Sequence, residues 1–253
     1  MRLRIVLKPL AGELCLPIHY HYCLQSFIYH MLPNEMSQYV HDNGFIAGNK
    51  RFRMFTFSDI LEEGERLPAS DQPSLLFTQT ISFLISTAIP ELGDSLVEGL
   101  ENALQSSNYT FNRQAIAVTK YSLLPEPDFS ALNTLSQGVK IKMLSPLTVY
   151  ETHEKQVTYH EPATEPFDRC LRTNALEKMK VIEGVSFQHL TLILEPSDQA
   201  PRKAIIMYKS ENNPITSWKG HFLLKGSPEL LKITYQAGLG AKNSQGFGMW
   251  KVV

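Results

Sequence analysis

Residues 90 to 104 read PELGDSLVEGLENAL, and Leu92, Leu96, Val97, Leu100 and Leu104 recur at the spacing of one apolar helical stripe, opened by Pro90. The same opening, Pro228-Glu229-Leu230, returns late in the chain. There Leu230, Ile233, Thr234 and Ala237 mark a shorter helix with Ser227 as cap and Pro228 at its first position. A Gly-Leu pair closes each helix, Gly99-Leu100 and Gly238-Leu239. Two helices with the same punctuation in two halves of one chain predict a duplicated unit.

The elements around each helix support that. Leu3, Ile5 and Leu7 alternate with Arg4, Val6 and Lys8 as in a half-buried strand. In LQSFIYHML, residues Leu24, Phe27, Ile28, Met31 and Leu32 form one apolar stripe, and Pro33 stops it. Strands are expected at 53–57, 76–86 and 111–119, which gives the order βαββαβ. In the second half, 139–150 reads as a strand broken at Ser145 and Pro146. Residues 168–182 read as a helix, and 187–194, 204–208 and 218–224 as strands. The predicted class is therefore α+β, with two tandem ferredoxin-like domains of the kind also called RRM-like. The expected domains are 1–120 and 121–253, joined through LLPEPDFSALNTLSQG, whose Pro, Ser and Asn suit a connection.

The bulk properties agree. The 253 residues accommodate two domains of about 100 to 130 residues each. Hydrophobic content is 43%, charged content 19% and net charge -1, the profile of an ordinary folded protein. Any surface for a polyanion must then be local, and Lys50, Arg51 and Arg53 form such a cluster. Cys15, Cys23 and Cys170 show no CxxC pair and no His-rich ligand spacing, so neither disulfides nor a zinc site is predicted. The N-terminal MRLRIVLKPL is interrupted by Arg4 and Lys8 and reads as a strand rather than a signal peptide. No apolar run approaches the roughly 18 residues of a membrane span. A cytoplasmic protein without membrane contact is expected.

The segment GLGAKNSQGFG places Gly238, Gly240, Gly246 and Gly248 around Lys242, Asn243, Ser244 and Gln245. Glycines let backbone approach a ligand closely, and Lys242 adds charge, which suits phosphate oxygens; a structural turn is the alternative. A nucleotide-binding loop is excluded, because no GxxxxGK[ST] is present and too little chain follows for a dinucleotide fold.

The run AGLGAKNSQGFGMWKV, after a short helix, resembles the C-terminal glycine-rich signature of the CRISPR repeat-RNA-processing endoribonucleases, members of the RAMP superfamily of paired ferredoxin-like domains. LPIHYHYCLQSFIYHML, RMFTFSDI, IPELGDSLVEGL and LSPLTV resemble family segments in the same order, so the likeness covers most of the chain. It implies an endoribonuclease without metal or cofactor, which cuts precursor CRISPR RNA within its repeats. The RNA's own 2′-hydroxyl attacks the adjacent phosphate, leaving a 2′,3′-cyclic phosphate and a 5′-hydroxyl.

Such a reaction needs a base, an acid and positive charge at the phosphorane. The resemblance selects His41 as the proton-transfer histidine, with the base role preferred; an imidazole pKa of about 6.5 suits it. Tyr29 matches the family's tyrosine of the first helix. At 100° per residue it lies roughly 130° from the centre of the apolar stripe, facing away from the core side. The third group in the family is a lysine. Here Arg53 aligns best, with Lys50 and Arg51 close by, and an arginine stabilises charge but does not readily donate a proton. RNA contacts are expected from Arg51 and from the glycine-rich segment. The partner implied is CRISPR repeat RNA, with interference-complex subunits or a second copy in a homodimer as further candidates. The rival reading is a non-catalytic guide-RNA-binding subunit of such a complex.

Overall fold

The computed structural model describes residues 1–68, 73–106, 109–132, 134–197, 199–209 and 213–253. In the first half, strands β1 (Arg2–Pro9), β2 (Phe55–Phe57), β3 (Ile81–Thr87) and β4 (Gln114–Leu123) alternate with helices α1 (His21–Met31) and α2 (Pro90–Gln105) as βαββαβ. They form an antiparallel sheet in the order β2-β3-β1-β4, extended at the β4 edge by Tyr109–Phe111. The second half repeats the plan with β5 (Val139–Met143), α3 (Glu165–Glu183), β6 (Leu192–Pro196), β7 (His221–Gly226), α4 (Pro228–Ala237) and β8 (Trp250–Val252). Its order is β6-β7-β5-β8, also antiparallel. The two topologies are the same, which is the tandem ferredoxin-like arrangement expected from the repeated helix opening.

Helix α1 forms where the apolar stripe predicts it. Leu24, Phe27, Ile28 and Met31 are buried, and Phe27 packs edge-on against Phe83, Tyr109 and Phe111. Each such side chain contributes about 1.5 to 3 kcal/mol through burial. The apolar core runs without a break from Leu3 in the first unit to Trp250 in the second. Arg2 crosses this junction: its guanidinium is buried, donates to Trp250 O at 2.8 Å and Tyr235 O at 2.6 Å, and lies 3.4 Å from the centre of the Tyr235 ring. Burial pushes its pKa down to about 10. A second polar clasp joins the same halves. Asp59 receives His21 Nε2 at 2.9 Å and Lys219 Nζ at 2.5 Å.

Three expected elements are divided differently. The strand expected over 76–86 is two: Ser74–Phe77 leaves the main sheet to pair with Leu14–Pro17, and only Ile81–Thr87 joins β1. The stretch 218–224 contains the end of one strand and most of another, broken at Gly220 with φ of 137°. The strand expected from Phe187 begins at Leu192, because Leu190 N–H closes a turn onto Phe187 O at 3.2 Å. Two hairpins, Tyr150–His153 with Gln156–Tyr159 and Arg202–Met207 with Pro214–Lys219, interrupt the second repeat. The break expected at Ser145 and Pro146 serves the final segment: Leu144 N–H donates to Met249 O at 2.7 Å and Pro146 O accepts Gly248 N–H at 2.8 Å.

Candidate active site

Between the two units lies a cleft of about 1130 Å³, lined by Tyr29, His41, Lys50, Arg51 and Arg53 from the first half and by Gly240, Lys242, Asn243, Ser244 and Gln245 from the second. The cleft exists because α1 has a second stripe. Tyr22, Gln25, Ser26 and Tyr29, one helical face apart from the core stripe, all line it.

Tyr29 is half-buried, and its ring meets the His41 ring edge-to-face with centroids 5.8 Å apart and planes at 80°. Phe55 backs it at 5.9 Å. Burial raises the Tyr29 pKa, and the neighbouring Arg53 guanidinium, hydrogen-bonded to the phenol, opposes that rise. His41 sits on a π-helical turn, Tyr39–Asn43, ended by Gly44 with φ of 63°. A Cβ at Gly44 would lie 2.7 Å from Phe52 O, so glycine is required for this turn to rest against the hairpin Phe45–Ala47 with Lys50–Phe52. The hairpin grips the turn in return. Arg51 Nη1 donates to Asp42 O at 2.6 Å and Arg53 Nη2 to His41 O at 2.5 Å. Beside Arg53, Met54 has φ of 55°, a conformation costing about 1 to 3 kcal/mol in a non-glycine residue, and Thr87 Oγ1 holds its carbonyl at 2.8 Å.

His41 is solvent-exposed, and its Nδ1 lies 2.7 Å from Asp42 Oδ1. The hydrogen bond from His41 holds the Asp42 carboxyl below its ordinary value. With Nδ1–H donating to a carboxylate, Nε2 carries the free lone pair, which is the tautomer a general base needs.

The glycine-rich segment divides into a buried frame and an accessible rim. Gly238, Gly240, Gly246 and Gly248 are buried with positive φ. A Cβ would come within 1.9 Å of Leu239 O at Gly248 and 2.5 Å of Thr148 O at Gly240. Gly240 and Gly248 are therefore required by close backbone packing, whereas a Cβ at Gly238 would meet the Asn243 side chain and one at Gly246 the rings of His21 and Phe57; of the four only Gly240 reaches the cleft. Between them, Lys242, Ser244 and Gln245 remain partly exposed on its wall. Burial lowers the Lys242 pKa, and its ammonium sits 5.0 Å over the Tyr150 ring. Asn243 is buried and ties the loop: Nδ2 donates to Leu239 O at 3.1 Å and Phe247 O at 3.0 Å.

Three further residues shape the site in ways the sequence did not show. Lys178 of α3 is fully buried, and its Nζ donates to Gly238 O at 2.7 Å, Gly240 O at 2.8 Å and Asn243 Oδ1 at 2.6 Å. Burial pushes its pKa down to about 7, while three acceptor oxygens favour the ammonium. Tyr208 donates to Gln25 Oε1, and Gln25 Nε2 donates to Ser244 O at 2.6 Å, so Gln25 links α1, an inserted hairpin strand's end and the loop. Only Gln25 left a trace in sequence, through its helical spacing with Tyr29. Lys178 and Tyr208 belong to no motif.

The site thus lies between paired ferredoxin-like units, with a tyrosine–histidine pair and a glycine-framed cationic loop lining one cleft. Comparison with known proteins gives the family. The family described as CRISPR associated protein Cas6, C-terminal, matches residues 125–252, and its N-terminal counterpart, type I-A, matches residues 15–119. The chain belongs to the Cas6 family. Among curated relatives, the CRISPR-associated endoribonuclease Cas6 of Pyrococcus furiosus is 26% identical over 243 residues, covering 93% of this chain and 83% of the relative. The CRISPR-associated endoribonuclease Cas6 1 of Methanocaldococcus jannaschii is 25% identical over 240 residues, covering 92% and 86%. Among solved structures, a Cas6-related protein from Pyrococcus furiosus superposes with a TM-score of 0.76 at 22% identity, over 100% of this chain and 98% of that one. An RAMP protein described as binding different RNA substrates gives 0.74 at 20%, over 100% and 99%. At these identities the structures establish the shared fold.

Proposed function

We propose that this protein is an endoribonuclease that cleaves precursor CRISPR RNA within its repeats without a metal ion. The observation that carries the reading is the meeting of Tyr29 and His41 in one cleft with Lys242, Ser244 and Gln245 from the far end of the chain. Two relatives named as CRISPR-associated endoribonucleases support the substrate class.

His41 Nε2, free because Nδ1 is held by Asp42, takes the proton of the RNA 2′-hydroxyl. The 2′-oxygen attacks phosphorus, the P–O5′ bond breaks, and the products are a 2′,3′-cyclic phosphate and a 5′-hydroxyl. Tyr29 orients the attacking hydroxyl. Arg53 already donates to His41 O and reaches the Tyr29 phenol, so its guanidinium organises the pair and stabilises the phosphorane. Lys50 lines the same wall and supplies the proton to the leaving 5′-oxygen. Arg51 and the loop residues Lys242, Ser244 and Gln245 hold the RNA backbone. Asn243 and the four glycines act by shaping the rim.

On this reading residues 1–120 carry the proton chemistry, and residues 121–253 hold the RNA. Among the described residues no helix is long and apolar enough to cross a membrane; we assign the protein to the cytoplasm, where its RNA substrate is made. Incubating repeat RNA with wild-type and His41→Ala protein tests the proposal. Cyclic-phosphate product from the wild type and its loss in the variant are expected. Tight repeat binding with no such product from the wild type would instead make the protein a guide-RNA-binding subunit.

A further inference from the structure

The hairpin Tyr150–His153 with Gln156–Tyr159 turns through Glu154 and Lys155, both with positive φ, and continues its ladder through His160 N–H to Val149 O at 2.9 Å. Alternation along the strands puts Glu151, His153 and His160 on one face, and that face packs against α3 at Cys170. The donor atoms converge. His160 Nε2 lies 3.2 Å from Glu151 Oε1, Cys170 Sγ 3.8 Å from Glu151 Oε2, and all three donors lie within 4.8 Å of one another. His153 Nε2 adds a fourth at 3.6 Å from Glu151 Oε2.

The separations measured to the two Glu151 oxygens are close to those of a metal's first coordination sphere. With Zn–N near 2.0 to 2.1 Å and Zn–S near 2.3 Å, tetrahedral geometry places nitrogen and oxygen donors about 3.3 Å apart and sulfur and oxygen donors about 3.6 Å apart. A second observation points the same way. His160 has a side chain only 11% exposed, and its Nε2 is buried without a hydrogen-bond partner although it faces the carboxylate. A buried imidazole nitrogen aimed at a carboxylate and a thiol is the donor set of a zinc ion, since thiolate and imidazole together select zinc over magnesium or calcium.

We propose that Glu151, His160 and Cys170, completed by His153, form a zinc site that fastens this hairpin to α3. A thiolate and a carboxylate would neutralise the ion's charge. Arg169, now 3.3 Å from Glu151 Oε2, also reaches Glu165 at 3.4 Å and keeps that partner when the metal takes Glu151. The ion would brace Tyr150, the ring beneath the Lys242 ammonium, and so stiffen the cleft wall opposite His41. It stands apart from the proton chemistry and does not depend on the cleavage reading.

The test uses the full chain and metal alone. Protein purified without chelator and equilibrated with zinc is expected to retain one equivalent after gel filtration. Replacement by Co(II) should give the near-ultraviolet thiolate-to-cobalt transition and the intense visible bands of a tetrahedral ion. Cys170→Ser should abolish the thiolate transition, and His160→Ala should weaken zinc binding by about 10- to 100-fold. No retained zinc, a weak octahedral cobalt spectrum, or an unchanged thiolate band in Cys170→Ser would overturn the proposal. If either variant fails to fold, the wild-type stoichiometry and cobalt spectrum decide alone.

Discussion

The edge of one ring faces the other in the pair formed by Tyr29 and His41, with centroids 5.8 Å apart, one residue from α1 and one from the π-helical turn that follows it. No other histidine of the first helix region is so placed: His21 is buried against Asp59, and His30 is turned back onto Ser26 O at 2.7 Å. Both rings line the cleft.

Replacing His41 by Ala should lower the single-turnover cleavage rate by about 10²- to 10⁴-fold. Repeat-RNA affinity should stay close to wild type in a filter-binding assay. Asp42→Asn should keep binding and cost less, about 10- to 100-fold, because it removes only the group orienting the ring. The hydrogen bond from His41 holds the Asp42 carboxyl below its ordinary value, and Asp42→Asn removes that bond.

Lys50 and Arg53 should separate in their effects. Arg53 donates to the carbonyl of His41, so Arg53→Ala should disturb the histidine's ring resonances in NMR as well as the rate. Lys50→Ala should slow cleavage while leaving those resonances in place. A substrate with a 5′-thio leaving group, which needs no proton, should restore much of the Lys50→Ala rate and little of the His41→Ala rate.

Gly248→Ala should destabilise the protein by about 3 kcal/mol or more, since the new Cβ would fall 1.9 Å from Leu239 O at a φ of 81°. Lys242→Ala, on the accessible rim, should leave the denaturation midpoint nearly unchanged and weaken RNA binding. Urea unfolding of both variants and their affinities measure this contrast between frame and rim.

Lys178 gives a pH signature. Its folded value of about 7 lies below the ordinary 10.5, so between those values the unfolded chain holds more protons than the folded one. Stability contributed by this group therefore rises with pH across that window, and the penalty for burying the charge is complete below it. Wild-type unfolding midpoints should rise relative to Lys178→Met between about pH 7 and pH 10.5. Parallel pH curves would contradict the assignment.

The α1 stripe, the Pro-Glu-Leu helix openings and the strand alternation of Leu3, Ile5 and Leu7 were legible because local periodicity dictates them. Tyr29 was placed on the cleft side by the same arithmetic. The strand boundaries near Phe77 and Gly220 were not, because the small sheet that draws Ser74–Phe77 away from β3 depends on a partner, Leu14–Pro17, distant in sequence. The role of the four loop glycines was only half visible. Their spacing suggested phosphate contact, whereas the structure shows each of them closely approached, Gly238 by Asn243, Gly240 by Thr148, Gly246 by His21 and Phe57, and Gly248 by Leu239. The buried role of Lys178 was not legible because nothing local distinguishes a buried lysine from an exposed one on an amphipathic helix.

Proton transfer by side chains alone is tested most directly by product analysis of repeat RNA cut in excess EDTA, with wild-type and Cys170→Ser protein run side by side. One cut per repeat is expected in both, with a 2′,3′-cyclic phosphate on the upstream fragment and a 5′-hydroxyl on the downstream one. Intact RNA under those conditions, with cleavage restored by a divalent ion, would contradict it.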